Sequence, residues 1–322
     1  TTTNKRLYTN LNNWLETSSP AVNLNSLSLV VGYTGKISPT ELETSPERSY
    51  SPLDYIGKVG LEAYYETDLR GVNGSKQIEV DAIGNEKAII SQQDPIDGRH
   101  LVLNIDARLQ AKLEEIMRQH LARIGKRRAV AIAMNPQNGA ILAMVNQPSF
   151  DSNDFSLGIK QADYDALKND PDAPLLNRAI SGEYPSGSTI KPIIAAAALE
   201  EKIITPTASF LSNGGLRVGQ WFFPDWKAGG HGWTNVTKAI AESVNTFFYY
   251  IGGGYEDFTG LGVERLSQYL RAFGLGQPTN IDLTGEASGV VPTAEWKEQL
   301  TGEPWYIGDT YHLAIGQGDL TV

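Results

Sequence analysis

From Asp106 onwards the chain carries apolar residues at helical spacing. Leu109, Leu113, Ile116, Met117, Leu121 and Ile124 fall on one stripe, and Gly125 closes it, which predicts a helix capped by Asp106. Ala129 to Met134 and Ala140 to Val145 follow as two apolar runs joined through Asn135-Pro136-Gln137-Asn138-Gly139. This reads as a hairpin, and because both arms are apolar it should lie in a central antiparallel sheet. A further helix is expected from Ser188 through Ile193, Ile194 and Leu199. Another, capped by Thr234 or Asn235, runs through Ile240 towards Phe247 and Tyr250. Val263, Leu266, Leu270 and Phe273 mark one more before Gly274.

The first 98 residues differ. Ser, Thr, Asn, Pro and Gly are dense and helical periodicity is poor. Strand-like pieces occur at Leu27 to Val31 and at Gln77 to Ile83, the second ending in Gly84-Asn85. Ser38 to Pro52 is polar and proline-rich and reads as loop. The expected organisation is therefore a β-rich, irregular module over 1–98 and an α+β domain over 99–322. No internal repeat and no low-complexity tract is evident.

Composition narrows the chemistry. The chain has 322 residues, 41% of them apolar, enough for two cores. A formal charge of −10 makes nucleic acid, bound through its phosphates, a poor partner. With no cysteine there is neither a disulfide framework nor a thiolate metal site. Four histidines leave little material for a histidine-based triad or metal centre. No apolar run reaches the ~18 to 20 residues that cross a bilayer. No secretory leader opens the sequence, and an anchor outside these residues is left open.

Ser188-Thr189-Ile190-Lys191 is the one Ser-x-x-Lys in the chain. On a helix, residues three apart share a face. A serine hydroxyl is a weak nucleophile until a base takes its proton, and a lysine is that base only where burial lowers its pKa. The tetrapeptide by itself is equally compatible with a helix start in which Ser188 caps and Lys191 is solvated. Ser243-Val244-Asn245 is the one Ser-x-Asn. Its hydroxyl could relay a proton and its amide could bind a peptide substrate. Alternatively, Ser243 and Asn245 only interrupt a helix, with Asn245 starting the next.

In context the two motifs resemble those of the penicillin-binding protein transpeptidases, whose signature pairs Ser-x-x-Lys with Ser-x-Asn and Lys-Thr-Gly. The likeness extends to Asp54-Tyr55-Ile56-Gly57-Lys58-Val59-Gly60-Leu61-Glu62 and Asp68-Leu69-Arg70-Gly71, similar to the close of the family's N-terminal pedestal. Asn104-Ile105-Asp106-Ala107-Arg108-Leu109-Gln110 is similar to the entry into the catalytic domain, and 134–145 to its first hairpin. Gly230-His231-Gly232 ahead of Ser243, and Ile315-Gly316-Gln317-Gly318 near the end, resemble the monofunctional, elongation-type subclass. The resemblance implies an antiparallel sheet flanked by helices, with a helical subdomain, on a pedestal or dimerisation-type module. It implies Ser188 as the acylated nucleophile, Lys191 as its base, Ser243 as proton relay and Asn245 as the contact to the acyl-side amide. It further implies peptidoglycan stem peptides ending in D-Ala-D-Ala as substrate, β-lactam antibiotics as covalent inhibitors, and no cofactor. The implied partner is a membrane glycan polymerase of the shape-determining (SEDS, RodA-like) type. The implied location is the bacterial inner membrane, with this part outside the cytoplasm. A serine β-lactamase or β-lactam sensor, and a non-catalytic cell-wall scaffold, are the alternatives.

The sequence departs from the family in two respects. Neither Lys-Thr-Gly nor Lys-Ser-Gly occurs, although the family carries that motif beyond its Gly-Gln-Gly segment. The expectation is that these residues are part of a longer protein; a chain ending at Val322 would be badly impaired in catalysis. Some members hold a structural zinc near the second motif with two aspartates, a histidine and a cysteine. Asp225 and His231 match, but Val244 stands at the cysteine position and no acid lies between Phe210 and Phe223. No metal is expected, with Glu242 the one nearby residue that could complete a set. Trp221-Phe222-Phe223, Trp226 and Trp233 could floor a substrate groove but read as packing of the helical subdomain.

Overall fold

The computed structural model describes residues 8, 25–44, 50–83 and 85–322. The chain divides into two compact units, residues 1–182 with 280–286, and residues 183–279 with 287–322. The mixed α+β character expected from the sequence holds in both.

In the first unit a short helix α1 (Ser28–Val31) leads into β1 (Tyr33–Lys36), α2 (Pro39–Thr44), β2 (Tyr55–Val59), α3 (Gly60–Tyr64) and α4 (Glu66–Leu69). β1 and β2 pair antiparallel. The segment expected as a strand, 27–31, is therefore helical; its apolar run serves burial of Leu29 and Val30 rather than a sheet face. The tract read as loop also holds a helix, because Ser38 and Glu41 form a reciprocal cap. Ser38 Oγ accepts from the Glu41 N–H at 3.3 Å and Glu41 Oε2 accepts from the Ser38 N–H at 2.7 Å. The strand foreseen near 77–83 is real. β3 (Ser75–Val80) pairs with β4 (Glu86–Gln93), with register shifts after Gln77 and Glu79, and every residue of both strands is exposed.

Next comes α5 (Ala107–Ile124). Asp106 caps it, accepting from the Arg108 and Leu109 N–H groups, and Gly125 ends it with φ +64°. Its buried face differs from the apolar stripe. Gln110, Ala111, Glu114, Met117 and Leu121 are inside, while Leu109, Ile116 and Ile124 are exposed. Gln110 exchanges two hydrogen bonds of 2.8 Å with the backbone of Met144 and donates to Ser26 Oγ, which in turn hydrogen-bonds Glu114. Polar side chains go in because each finds a partner there. β5 (Ala129–Met134) and β6 (Ile141–Gln147) form the expected hairpin, β6 buried over Ala143–Asn146 and half-buried at its ends, β5 half-buried to exposed. Among the described residues this is a two-stranded sheet. α6 (Ser152–Ser156) and α7 (Gln161–Asn169) follow.

The second unit is mostly helical. A 3-10 turn (Gly187–Ile190) runs straight into α8 (Lys191–Glu200). Four short strands follow: β7 (Ser209–Ser212), β8 (Gly215–Val218), β9 (Trp221–Pro224) and β10 (Gly232–Asn235), pairing β7 with β10 and β8 with β9. Asn235, one of the two expected caps, accepts from the Lys238 N–H and starts α9 (Val236–Ala241). The single helix expected from there is two: the chain breaks at 242–244 and restarts as α10 (Asn245–Gly253). α11 (Gly262–Ala272), α12 (Ala294–Thr301) and α13 (Ile307–Ala314) complete the unit. Ile194, Phe247, Phe248, Ile251, Leu266, Leu270 and Leu313 form its core, each at most 1% exposed. α8 and α10 are thus fixed side by side, with Ser188 in the turn that leads into one and Asn245 at the head of the other.

Candidate active site

The four residues singled out in the sequence converge. Lys191 stands at the start of α8 with a side chain 2% exposed, while Ser188, one turn earlier, is exposed. Lys191 Nζ donates to Asn245 Oδ1 at 2.7 Å, to the Ser243 carbonyl at 2.9 Å and to Ser243 Oγ at 3.1 Å. Ser243 Oγ lies 2.9 Å from Ser188 Oγ. The hydroxyl of Ser188 therefore reaches the amine through Ser243. Nζ also sits 5.1 Å from the centroid of the Phe248 ring.

Burial lowers the Lys191 amine from 10.5 to about 8, against an opposing pull from the Asp225 carboxylate. The three acceptors around Nζ are neutral, so none repays the desolvation of a full charge. An amine with this value is partly neutral near pH 7 and can accept a proton.

Backbone conformation sets this geometry. Ser243 adopts φ +53°, a left-handed conformation that a non-glycine residue rarely takes. There it turns both its carbonyl and its hydroxyl towards Lys191. Such local strain persists only where the surroundings over-determine it. On the Ser188 side, the Gly187 N–H donates to the Gly316 carbonyl at 2.8 Å. A Cβ on Gly316 would lie 2.0 Å from the Gly187 carbonyl oxygen, so only glycine allows that approach. The Gly-Gln-Gly segment is thereby a brace for the turn that carries Ser188.

Asp225 was singled out only as a possible metal ligand. It is buried directly beneath the Ser243–Asn245 turn. Its Oδ2 accepts from the Thr246 hydroxyl at 2.6 Å, the Thr246 N–H at 3.0 Å and Ser212 Oγ at 3.2 Å. Its Oδ1 accepts from the Trp226 N–H at 2.9 Å and the Asn245 N–H at 3.2 Å. Burial alone would raise this carboxyl, but the hydrogen bonds from Thr246, Asn245 and Trp226 outweigh it and hold it below the usual aspartate value. No local pattern marks this role, since Asn245 and Thr246 lie about twenty residues away in sequence.

The donor set does not fit zinc. His231 Nε2 is buried without a hydrogen-bond partner, 3.6 Å from Asp225 Oδ1, so two donors face each other there. Glu242 lies on the opposite edge of the ring, 2.7 Å from Nδ1, and Val244 carries no donor atom. A structural zinc takes four ligands. Among the described residues no group of three or more His, Cys, Asp or Glu side chains could hold a metal ion.

The aromatic cluster read as packing is instead mostly surface. Trp221 is 66% exposed and Trp226 64%, and Trp233 and Phe222 are exposed as well. Trp221, Phe222, Phe223 and Trp226, with Asn245 and Gln317, line a cavity of about 480 Å³ that opens beside Asn245. Phe223 alone of the run turns inward, edge-on to Tyr311 at 4.9 Å.

Comparison with known proteins finds relatives over nearly the whole chain. The family model for the penicillin binding protein transpeptidase domain matches residues 129–322, and that for the penicillin-binding protein dimerisation domain matches residues 1–103. The peptidoglycan D,D-transpeptidase MrdA of Escherichia coli K12 is 38% identical over 300 residues, covering 91% of this chain and 45% of the relative. Among solved structures, penicillin-binding protein PBP2 in complex with MreC from Helicobacter pylori superposes with a TM-score of 0.81 at 35% identity, covering 92% of this chain and 53% of that one. PBP2 of Pseudomonas aeruginosa in complex with WCK 5153 gives 0.76 at 35% identity, covering 92% and 59%. The chain thus spans about half the length of the relatives it matches.

Proposed function

The chain belongs to the penicillin-binding protein transpeptidase family, and from that premise we propose that its second unit carries the acyl-transfer centre of a peptidoglycan D,D-transpeptidase of the elongation type. One observation carries the reading: a serine hydroxyl linked through a second hydroxyl to a buried lysine with lowered proton affinity.

In the proposed cycle Ser188 Oγ attacks the carbonyl of the penultimate D-alanine of a stem peptide. Its proton passes to Ser243 Oγ while the Ser243 proton passes to neutral Lys191. The Ser188 N–H, at the head of the 3-10 turn, offers one donor to the oxyanion. As the tetrahedral intermediate collapses, the C–N bond breaks and the proton returns along the same path to the departing D-alanine amine. The amine of a second stem then attacks the acyl-enzyme, loses its proton to the same relay, and releases Ser188 with a cross-link formed. Asn245 faces the cavity as well as Lys191 and is suited to bind the acyl-side amide. β-Lactams enter at the first step and stay attached to Ser188.

We assign residues 1–98 to the pedestal and 99–322 to the transpeptidase domain, in keeping with the two family matches. The partner is a membrane glycan polymerase of the shape-determining type. The location is the inner membrane with this part outside the cytoplasm; no helix among the described residues is long and apolar enough to cross a bilayer.

The test is labelling of the full-length gene product with a fluorescent penicillin. A stable adduct mapped to Ser188 supports the transpeptidase. Label that disappears within minutes assigns a β-lactamase, and no label assigns a scaffold.

A further inference from the structure

We infer that Asp225 is a positioning residue for the reaction, holding Ser243 and Asn245 in register with Lys191 by capping α10 from another part of the chain. The inference rests on the proposed role of Ser188 and adds a residue that touches neither nucleophile nor base.

α10 begins at Asn245 with no capping side chain of its own, since the residue before it is Val244. A helix start without a cap leaves its first N–H groups unpaired, and here they are partly or wholly buried. Asp225 fills that place at a distance in sequence. Each of its oxygens takes an N–H from the first turn of α10, Oδ1 from Asn245 and Oδ2 from Thr246. The remaining lone pairs take the Thr246 and Ser212 hydroxyls and the Trp226 N–H. Five donors thus converge on one carboxylate and none of its neighbours offers it an acceptor. Ser212 ties the same carboxylate to β7, and Thr246 Oγ1 also lies 3.2 Å from Ser212 Oγ. The consequence for the site is direct. The residue whose N–H Asp225 holds is the one whose side chain accepts from Lys191, and the residue before Val244 is the strained Ser243. Removing the carboxylate frees the segment to relax out of its left-handed turn. The hold is made by hydrogen bonds to protein groups, with no metal ion.

The five-donor shell also makes asparagine a poor replacement. An amide has one acceptor oxygen, and its NH2 would face at least two of the donors. Charge matters separately. The carboxylate acting on Lys191 is Asp225, while Ser243, Asn245 and the Phe248 ring are neutral.

The experiment measures the acylation rate by a fluorescent penicillin from pH 6 to 9.5 in the full-length protein. Asp225→Asn is expected to slow acylation about 10- to 100-fold and to move the rising limb of the pH profile to lower pH. A purely structural role would slow the rate at every pH without moving the limb. Should Asp225→Asn fail to fold, Thr246 decides. Thr246→Val, which removes the 2.6 Å donor, should slow acylation about three- to tenfold, and Thr246→Ser should restore it to within about twofold. Unchanged rates in Asp225→Asn or Thr246→Val overturn the inference, as does an unmoved limb. It is equally overturned if a chelator slows acylation or if one zinc per chain is found by elemental analysis. Ser188→Ala separates the two levels: persistent labelling there refutes the reading of Ser188, whatever Asp225 does.

Discussion

Raising the pH from 6 to 9 should accelerate acylation of Ser188 steeply and then level off near pH 8. The cause is the buried Lys191, whose amine is lowered from 10.5 to about 8. At pH 7 a group with that value is neutral in about one molecule in ten; an ordinary lysine is neutral in about three in ten thousand. The gain in the base form is about 300-fold, equivalent to about 3 kcal/mol. The folded state bears the same amount. The unfolded chain takes up this proton near 10.5 and the folded chain only near 8, so between these values the unfolded state binds more protons and stability rises with pH. Below 8 the penalty is complete. The assay is stopped-flow acylation by a fluorescent penicillin under pseudo-first-order conditions, with stability to pH checked by near-UV dichroism. The logarithm of the rate should climb with unit slope below pH 7.5 and flatten above about 8. Lys191→Ala should remove the dependence and slow the reaction by about 10²- to 10⁴-fold. A rate independent of pH between 6 and 9, or less than a tenfold loss in Lys191→Ala, would refute the assignment of this amine as the base.

Ser188→Ala should abolish covalent labelling while shifting the melting temperature little, because the hydroxyl is exposed and its removal costs at most ~1 kcal/mol. Retained labelling at another serine, read by peptide mapping, would contradict this. Gly316→Ala should slow acylation more than tenfold, since the new Cβ would meet the Gly187 carbonyl at 2.0 Å and push the nucleophile turn away. Wild-type rates in that variant would show that the Gly-Gln-Gly segment does not brace Ser188. Asp106→Ala removes the oxygen that accepts from the Arg108 and Leu109 N–H groups at the head of α5 and should cost about 1 kcal/mol in urea unfolding, with acylation unchanged. Loss of activity at full stability would contradict a purely capping role.

The chemistry was legible wherever it depends on spacing along one helix or on an ordered set of short motifs. Ser188 and Lys191 are one turn apart, so any helix there puts them on one face, while Ser243 bridges the hydroxyl to the amine. Asp106, Asn235 and Gly125 announce helix ends because a cap is a local hydrogen-bond requirement, satisfied within three residues. The Ser38–Glu41 cap carried the same signal and was obscured by the surrounding prolines and serines. The buried face of α5 was less accessible. Gln110 and Glu114 replace the outer leucine and isoleucines as buried groups because Met144 and Ser26, distant in sequence, satisfy them.

Tertiary structure decided the rest. The sequence offered Lys191 as a base, but only packing of α8 against α10 buries its amine and lowers its proton affinity. It offered Ser243 as an interruption or a relay; only the left-handed turn directs its hydroxyl to both Ser188 and Lys191. It offered Trp221 and Trp226 as packing, and the fold exposes them because the β8–β9 hairpin turns that edge outward beside Asn245. Asp225 had no local signature at all. Its function depends on five donors gathered from β7, from its own neighbour and from the head of α10, and a convergence of that kind exists only once the chain has folded.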